Sequence, residues 1–188
     1  MNASNISAKI VHAALDYYSV KGYVFTDCPI VVPHYYNNIT KPVDIPNTNH
    51  DIDNSYIGSA EQSFLKIYEK GKFKGKHLGL TPCFRNEKVL DDTHFLMFLK
   101  CELFSEDRNN MKVFIGDACD FYDRYCSCGV IETSQGYDII DTVTKIELGS
   151  YGITKGVLNG VELEYSYGTG LAEPRLSYIL QHDYYRDY

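Results

Sequence analysis

Residues 78–87 read Leu-Gly-Leu-Thr-Pro-Cys-Phe-Arg-Asn-Glu, and residues 94–104 read His-Phe-Leu-Met-Phe-Leu-Lys-Cys-Glu-Leu-Phe. Residues 78–85 and 95–104 have the apolar, β-prone texture of two long antiparallel strands. The polar segment 86–93, with Lys88 and two aspartates at its tip, reads as the loop that joins them. Side chains alternate along a strand, so Phe98, Lys100 and Glu102 share one face, and Arg85 and Glu87 share a face on the partner. A cation, an aromatic ring and carboxylates thus line one surface.

Upstream of this hairpin, apolar positions at Ile6, Ile10, Val11, Ala14, Leu15 and Tyr18 have the three-and-four spacing of a helix buried on one side. Tyr23-Val24-Phe25 and Ile30-Val31-Val32 read as extended segments, punctuated by Pro29 and Pro33. Residues 37–55, rich in Asn, Asp and Pro and without periodicity, predict a long loop that could act as a flap. Ser59, with Gln62 three positions on, predicts a capped start to a short helix. Downstream, a helix is expected around residues 118–125 and strands at 137–146 and 160–166. Gly168-Thr169-Gly170 then opens an apolar run, 171–180, with the character of a buried helix. The sequence holds no internal repeat. This order favours an α+β fold: an antiparallel sheet with helices on one side, in a single domain spanning residues 1–188.

Composition agrees with a folded globular chain. Of 188 residues, 44% are hydrophobic and 23% charged, which excludes disorder, collagen-like repeats and coiled coil. No apolar run reaches the roughly 18 to 20 residues that a bilayer span requires, and the polar start MNASNISAK is unlike a signal peptide. A cytoplasmic, reducing location follows, where Cys28, Cys83, Cys101, Cys119, Cys126 and Cys128 are expected as thiols. Cys126-Ser-Cys128 could supply two metal ligands, but no second pair stands at zinc-site spacing. The net charge of −7 disfavours broad nucleic-acid binding. Lys70, Lys72, Lys74 and Lys76 form the one basic concentration, read as a solvated loop. The clustered tyrosines, Tyr17, Tyr18, Tyr184 and Tyr185 among them, read as core edges and interface contacts. His12, His34, His50, His77 and His182 have no metal-ligand spacing.

Three segments would converge if the sheet forms: the hairpin, Glu147-Leu148-Gly149-Ser150, and Gly168 through Arg175. Glycines in the last permit close approach of backbone to a ligand, and Arg175 at a helix start can grip phosphate oxygens bidentately. Two arginines on separate elements, an aromatic face and a carboxylate suited to Mg²⁺ are what a bent triphosphate and purine require. An ordinary strand-end ion pair and an ordinary helix entry would account for the same residues.

These residues resemble the class II aminoacyl-tRNA synthetase catalytic core, with its three motifs in order over about residues 10–180. Gly22-Tyr23-Val24-Phe25-Thr26-Asp27-Cys28-Pro29 resembles the first, Phe84-Arg85-Asn86-Glu87 with His94 and Phe98 the second, and Gly168-Thr169-Gly170-Leu171 through Arg175 the third. Ser59-Ala60-Glu61 and Phe98-Leu99-Lys100-Cys101-Glu102 are most similar to the seryl group. The resemblance implies a homodimer formed through residues 22–29, and ATP and Mg²⁺ as cofactors. It places Arg85 on the α-phosphate and amino-acid carboxylate, Phe98 on adenine and Glu87 by the adenine amino group. His94 stands at a nucleotide position, Gly170 beside the nucleotide, and Arg175 on the γ-phosphate. Glu147 and Ser150 are implied near Mg²⁺, and Ser59, Glu61 and Glu102 in the amino-acid pocket.

Two departures shape the expectation. Tyr167 stands where seryl enzymes have a small polar residue, which points away from serine, and nothing resembles an anticodon-binding domain or tRNA-gripping arm. The leading reading is therefore a stand-alone ligase that activates an amino acid or similar carboxylate as its adenylate. The acceptor is unknown, and tRNA is possible but not favoured. Two alternatives stand beside it: an asparagine-synthetase-like amide ligase, suggested by residues 147–153, and a non-catalytic binding or regulatory module.

Overall fold

The computed structural model describes residues 6–40, 46–71, 73–91 and 94–184. Lys72, residues 41–45 and 92–93, Tyr185 and Tyr188 lie outside them, as do the side chains of His182 and Tyr184.

The hairpin is the spine of the molecule. Strands β5 (His77–Phe84) and β6 (Met97–Ser105) pair antiparallel, with Cys83 opposite Phe98 and Thr81 opposite Lys100. With β1 (Val24–Phe25), β7 (Cys128–Thr133), β8 (Gly136–Asp141), β9 (Glu147–Leu158) and β10 (Val161–Glu173) they make a seven-stranded sheet, order β1-β5-β6-β10-β9-β8-β7. Every pairing in it is antiparallel except that of β1 with β5. A second, three-stranded sheet joins β2 (Val31–Pro33), β4 (Asn54–Tyr56) and β3 (Thr48–Asn49).

Helices lie on both faces, not on one. Strand alternation in β6 divides the core: Cys101 and Leu103 enter one cluster and Phe104 the other. On the first face, α1 (Ala8–Val20), α4 (Asn110–Tyr122) and α5 (Arg175–Tyr184) bury Ala14, Tyr18, Phe114, Phe121, Leu176 and Ile179. On the second, α2 (His34–Thr40) and α3 (Ala60–Tyr68) bury Tyr36, Phe64 and Leu65 against Phe104 and Tyr165. This second face also carries the candidate site.

Local signals were sound where they were self-contained. The first helix forms over Ala8–Val20 with Ser7 as its N-cap. The α3 start is a full capping box, in which Gln62 Oε1 accepts from the backbone N–H of Ser59 at 2.8 Å. Elsewhere tertiary context prevailed. The supposed loop 37–55 contains the end of α2 and strands β3 and β4, tied by the buried Asn37, which donates to Ser55 Oγ at 2.6 Å and the Tyr56 carbonyl at 2.9 Å. The helix expected near 118–125 runs earlier, over Asn110–Tyr122.

The largest correction concerns residues 168–173, which continue β10 instead of opening a helix; α5 begins only at Arg175, after Pro174. β10 lies between β6 and β9, and its residues 168–173 are all buried, so the apolar run has no period-two signature to separate strand from helix. The basic stretch is also less solvated than expected. Lys76 pairs with Asp117 at 3.2 Å and lies 4.2 Å from the Tyr23 ring centroid.

Candidate active site

Arg85, at the exit of β5, and Arg175, at the start of α5, open on one cleft of about 610 Å³ on the second face of the large sheet. Its walls include Gly58, Ser59 and Glu61 from the α3 start, Phe98 and Lys100 from β6, Glu147, Ser150 and Thr154 from β9, and Tyr167 and Thr169 from β10. Asn37, Thr40 and Thr48, from α2 and the small sheet, complete it.

One end of the cleft is cationic and aromatic. The Arg85 guanidinium carbon lies 5.0 Å from the Phe98 ring centroid, and its Nε donates to the Gly58 carbonyl at 3.3 Å. Arg85 directly follows β5 and Phe98 stands on the neighbouring β6, and the cation–π contact holds the guanidinium over the ring. Arg85, Glu87, His94, Phe95, Phe98, Ala172, Glu173 and Arg175 also surround a smaller recess beside the main cleft. His94 Nδ1 meets the Asp91 carboxylate at 2.9 Å.

At the Arg175 side, Nη1 pairs with Glu147 Oε1 at 3.0 Å, and that oxygen also accepts from Ser150 Oγ at 3.1 Å. Asp138 stands opposite Ser150 in the β8–β9 register. Burial raises its carboxyl pKa, and the Glu147 charge adds to this against the pull of Ser150 and Arg175. No local signal marks Asp138 in the sequence, because its place depends on the pairing of β8 with β9.

The other end is acidic and buried. Burial and the nearby Glu102 charge push the Glu61 carboxyl up to about 7, although the Tyr165 hydroxyl donates to its Oε1 at 2.6 Å. Thr154 Oγ1 is 3.5 Å from the same oxygen. Glu102 is fully buried, so it underlies the cleft instead of lining it. It accepts from Ser59 Oγ and pairs with Lys100 Nζ at 2.8 Å. Lys100 is thereby neutralised and held against the wall.

Most of the residues singled out in the sequence therefore meet. Gly170 does not. A Cβ there would come 2.9 Å from Tyr18 and 3.0 Å from Leu103, on the helix-packed face, and its carbonyl accepts from the Tyr18 hydroxyl at 2.9 Å. Gly168 likewise makes room for the Tyr151 ring. These glycines admit core tyrosines to the back of the sheet and leave no opening toward a ligand. Tyr165, Thr154 and Thr169 contribute walls or partners that sequence reasoning missed.

Among the described residues the six cysteines are thiols, with no disulfide between them. Cys128 Sγ lies 3.2 Å from Asp123 Oδ1, and no group of three or more His, Cys, Asp or Glu converges on a metal position among the described residues. Nor is any helix among them long and apolar enough to cross a membrane.

The sequence matches no protein-family model and none of the curated proteins. Solved structures do match. Pyrrolysyl-tRNA synthetase from Desulfitobacterium hafniense superposes with a TM-score of 0.72 at 13% identity, covering 93% of this chain and 69% of that one. Seryl-tRNA synthetase from Pyrococcus horikoshii, complexed with ATP, gives 0.74 at 17% identity, covering 94% and 51%. Cytoplasmic serine-tRNA ligase from Naegleria fowleri, in complex with AMP, gives 0.62 at 16% identity, covering 90% and 53%. The chain has the fold of the class II aminoacyl-tRNA synthetase catalytic core: a large, mainly antiparallel sheet flanked by helices. Pyrrolysyl and seryl enzymes are the structures it resembles here, and it spans about half the length of the seryl ones.

Proposed function

We propose that this cleft binds ATP and an amino acid and joins them as an aminoacyl-adenylate. The observation that carries the reading is the placement of two guanidinium groups from distant segments, Arg85 and Arg175, in one cleft whose far end is the buried acid Glu61. The neighbours complexed with ATP or AMP support a nucleotide there.

Adenine stacks on Phe98, with its amino group toward Glu87 and His94 beside the nucleotide. Arg85 bridges the α-phosphate and the amino-acid carboxylate, and Arg175 holds the γ-phosphate. Glu61 receives the ammonium group, and Ser59 positions that pocket with Glu102 behind it. A carboxylate oxygen attacks the α-phosphorus; the bond to the bridging β-phosphate oxygen breaks, and pyrophosphate leaves with the electron pair. No proton has to move. Positioning and charge neutralisation suffice for such an in-line displacement.

Mg²⁺ fits the residues present. Glu147 and Ser150 offer hard oxygen donors beside Arg175, and Mg²⁺ usually takes one or two carboxylates and completes its shell with phosphate and water. When bound, it would neutralise charge on the leaving pyrophosphate. The net charge of −7 supports an acceptor other than a full tRNA. A homodimer through residues 22–29 is supported by Val24 and Phe25, 54% and 52% exposed on the edge strand β1.

ATP–pyrophosphate exchange with each amino acid in turn tests the reading. Exchange with at least one is expected. ATP binding without exchange for any carboxylate would defeat it.

A further inference from the structure

The acidic end of the cleft is lined by Glu61, Thr154, Tyr167 and Thr169. If Arg85 takes the carboxylate and Glu61 the ammonium, the substrate lies across the sheet from β5 toward β10 and β9. Glu61 is bonded to Tyr165 on β10 and Thr154 on β9, so the substrate's side chain has to be accommodated beside these strands.

Tyr167 occupies that space. It pairs with Gly152 on β9, and its ring leans across this glycine: a Cβ at Gly152 would stand 2.6 Å from the Tyr167 hydroxyl oxygen and 2.8 Å from Cζ. The recess that a glycine leaves in a sheet is thus already filled. Burial, followed by the charges of Glu61, Glu102 and Asp138, pushes the Tyr167 hydroxyl up to about 12, in keeping with a ring among the acids at this end of the cleft.

Next to it the core is aromatic and continuous. Phe64 stacks on Phe104 with ring centroids 4.7 Å apart and planes 12° apart, and Phe104 stacks on Tyr165 at 5.0 Å and 28°. All three rings are buried. Close-packed rings of this kind do not make way for an extra side chain without strain.

We infer that the site takes an α-amino acid whose side chain is no larger than that of serine, glycine and alanine included, and that Tyr167, which in the sequence pointed away from serine, instead sets this upper limit of size. The inference rests on the proposed function and adds the substrate class.

Titration calorimetry with glycyl-, alanyl-, seryl-, leucyl- and phenylalanyl-sulfamoyl adenosine reads the pocket whether or not the chain catalyses anything; ATP–pyrophosphate exchange reads the reaction. The wild-type chain should bind the three small analogues at least about tenfold more tightly than the two large ones, the order that steric exclusion from a pocket produces. Tyr167→Ala should narrow or reverse that ratio, and Tyr167→Phe, which keeps the ring, should preserve it. Tighter wild-type binding of the leucyl or phenylalanyl analogue overturns the inference. So does an unchanged ranking in a folded Tyr167→Ala; if that variant does not fold, the wild-type ranking decides alone. Binding of small analogues without exchange would sink the activation reading and leave this one standing. Failure to bind any analogue would sink both.

Discussion

Arg85 is half-buried, and its side chain is held by two contacts, the Phe98 ring and the Gly58 carbonyl, so its removal should affect chemistry more than folding. Arg85→Ala is expected to lower pyrophosphate exchange by about 100-fold or more, the usual loss for a group that meets developing charge, while the melting temperature barely moves. Parallel exchange assays and thermal melts separate the two. Glu61 makes a different prediction. With its carboxyl pushed up to about 7, the free site is only partly ionised at neutral pH. An ammonium group prefers the ionised form, so the KM for the amino acid should fall as pH rises through about 7. Glu61→Gln should raise KM and remove that pH dependence; a slope that persists in the variant would assign the titration elsewhere.

The α3 start shows how a short element can serve two ends. Ser59 caps the helix through Glu61 N–H at 3.4 Å and also donates to Glu102, so one hydroxyl ties the helix to β6 beneath the cleft. Ser59→Ala should lower stability by about 1 to 2 kcal/mol, in the range measured for lost N-caps, as read by chemical denaturation. Such elements were legible in the sequence because their signals are local: Ser59 and Gln62 are three residues apart, and the 78–104 hairpin has its own loop. β9 and β10 were not. Gly149, Gly152 and Gly168 each face a side chain from another segment or strand, respectively Thr169, Tyr167 and Tyr151, and no local pattern announces that. The same cause explains why Gly170 read as a ligand contact. A glycine announces that something comes close, and which face it comes from is fixed only by the strand's register. Arg85, Phe98 and Arg175 could be singled out because their residue types, and the resemblance built on them, do not depend on where α5 begins.

Across the molecule, buried acids should make stability depend on pH with an unusual sign. Burial raises Glu61 to about 7 and Glu173 to about 6, against about 4.5 in the unfolded chain. The folded state holds these protons more tightly, so the contribution is fully present below pH 4.5 and is lost as pH rises through about 6 and 7. Thermal melts should show the Glu61→Gln variant losing less stability than the parent between pH 5 and pH 8. Assembly gives a second test at this level. Val20, 89% exposed at the end of α1, is a further exposed apolar side chain four residues before Val24. If the β1 edge is the dimer contact, Phe25→Glu should turn a dimer into a monomer in sedimentation experiments, with the melting temperature of the monomer preserved.

The Arg175–Glu147 pair has a consequence for the order of loading. Each charge compensates the other, and under the proposed function a phosphate that draws the guanidinium away would leave the Glu147 carboxylate without its arginine. A divalent cation arriving with the triphosphate supplies the new partner, so one ion pair is exchanged for two. Nucleotide and cation should therefore reinforce each other's binding: ATP should bind more weakly in chelator than in magnesium, and Glu147→Gln should shrink that difference. A lock of this kind turns away bare anions and opens to a key that carries its own countercharge.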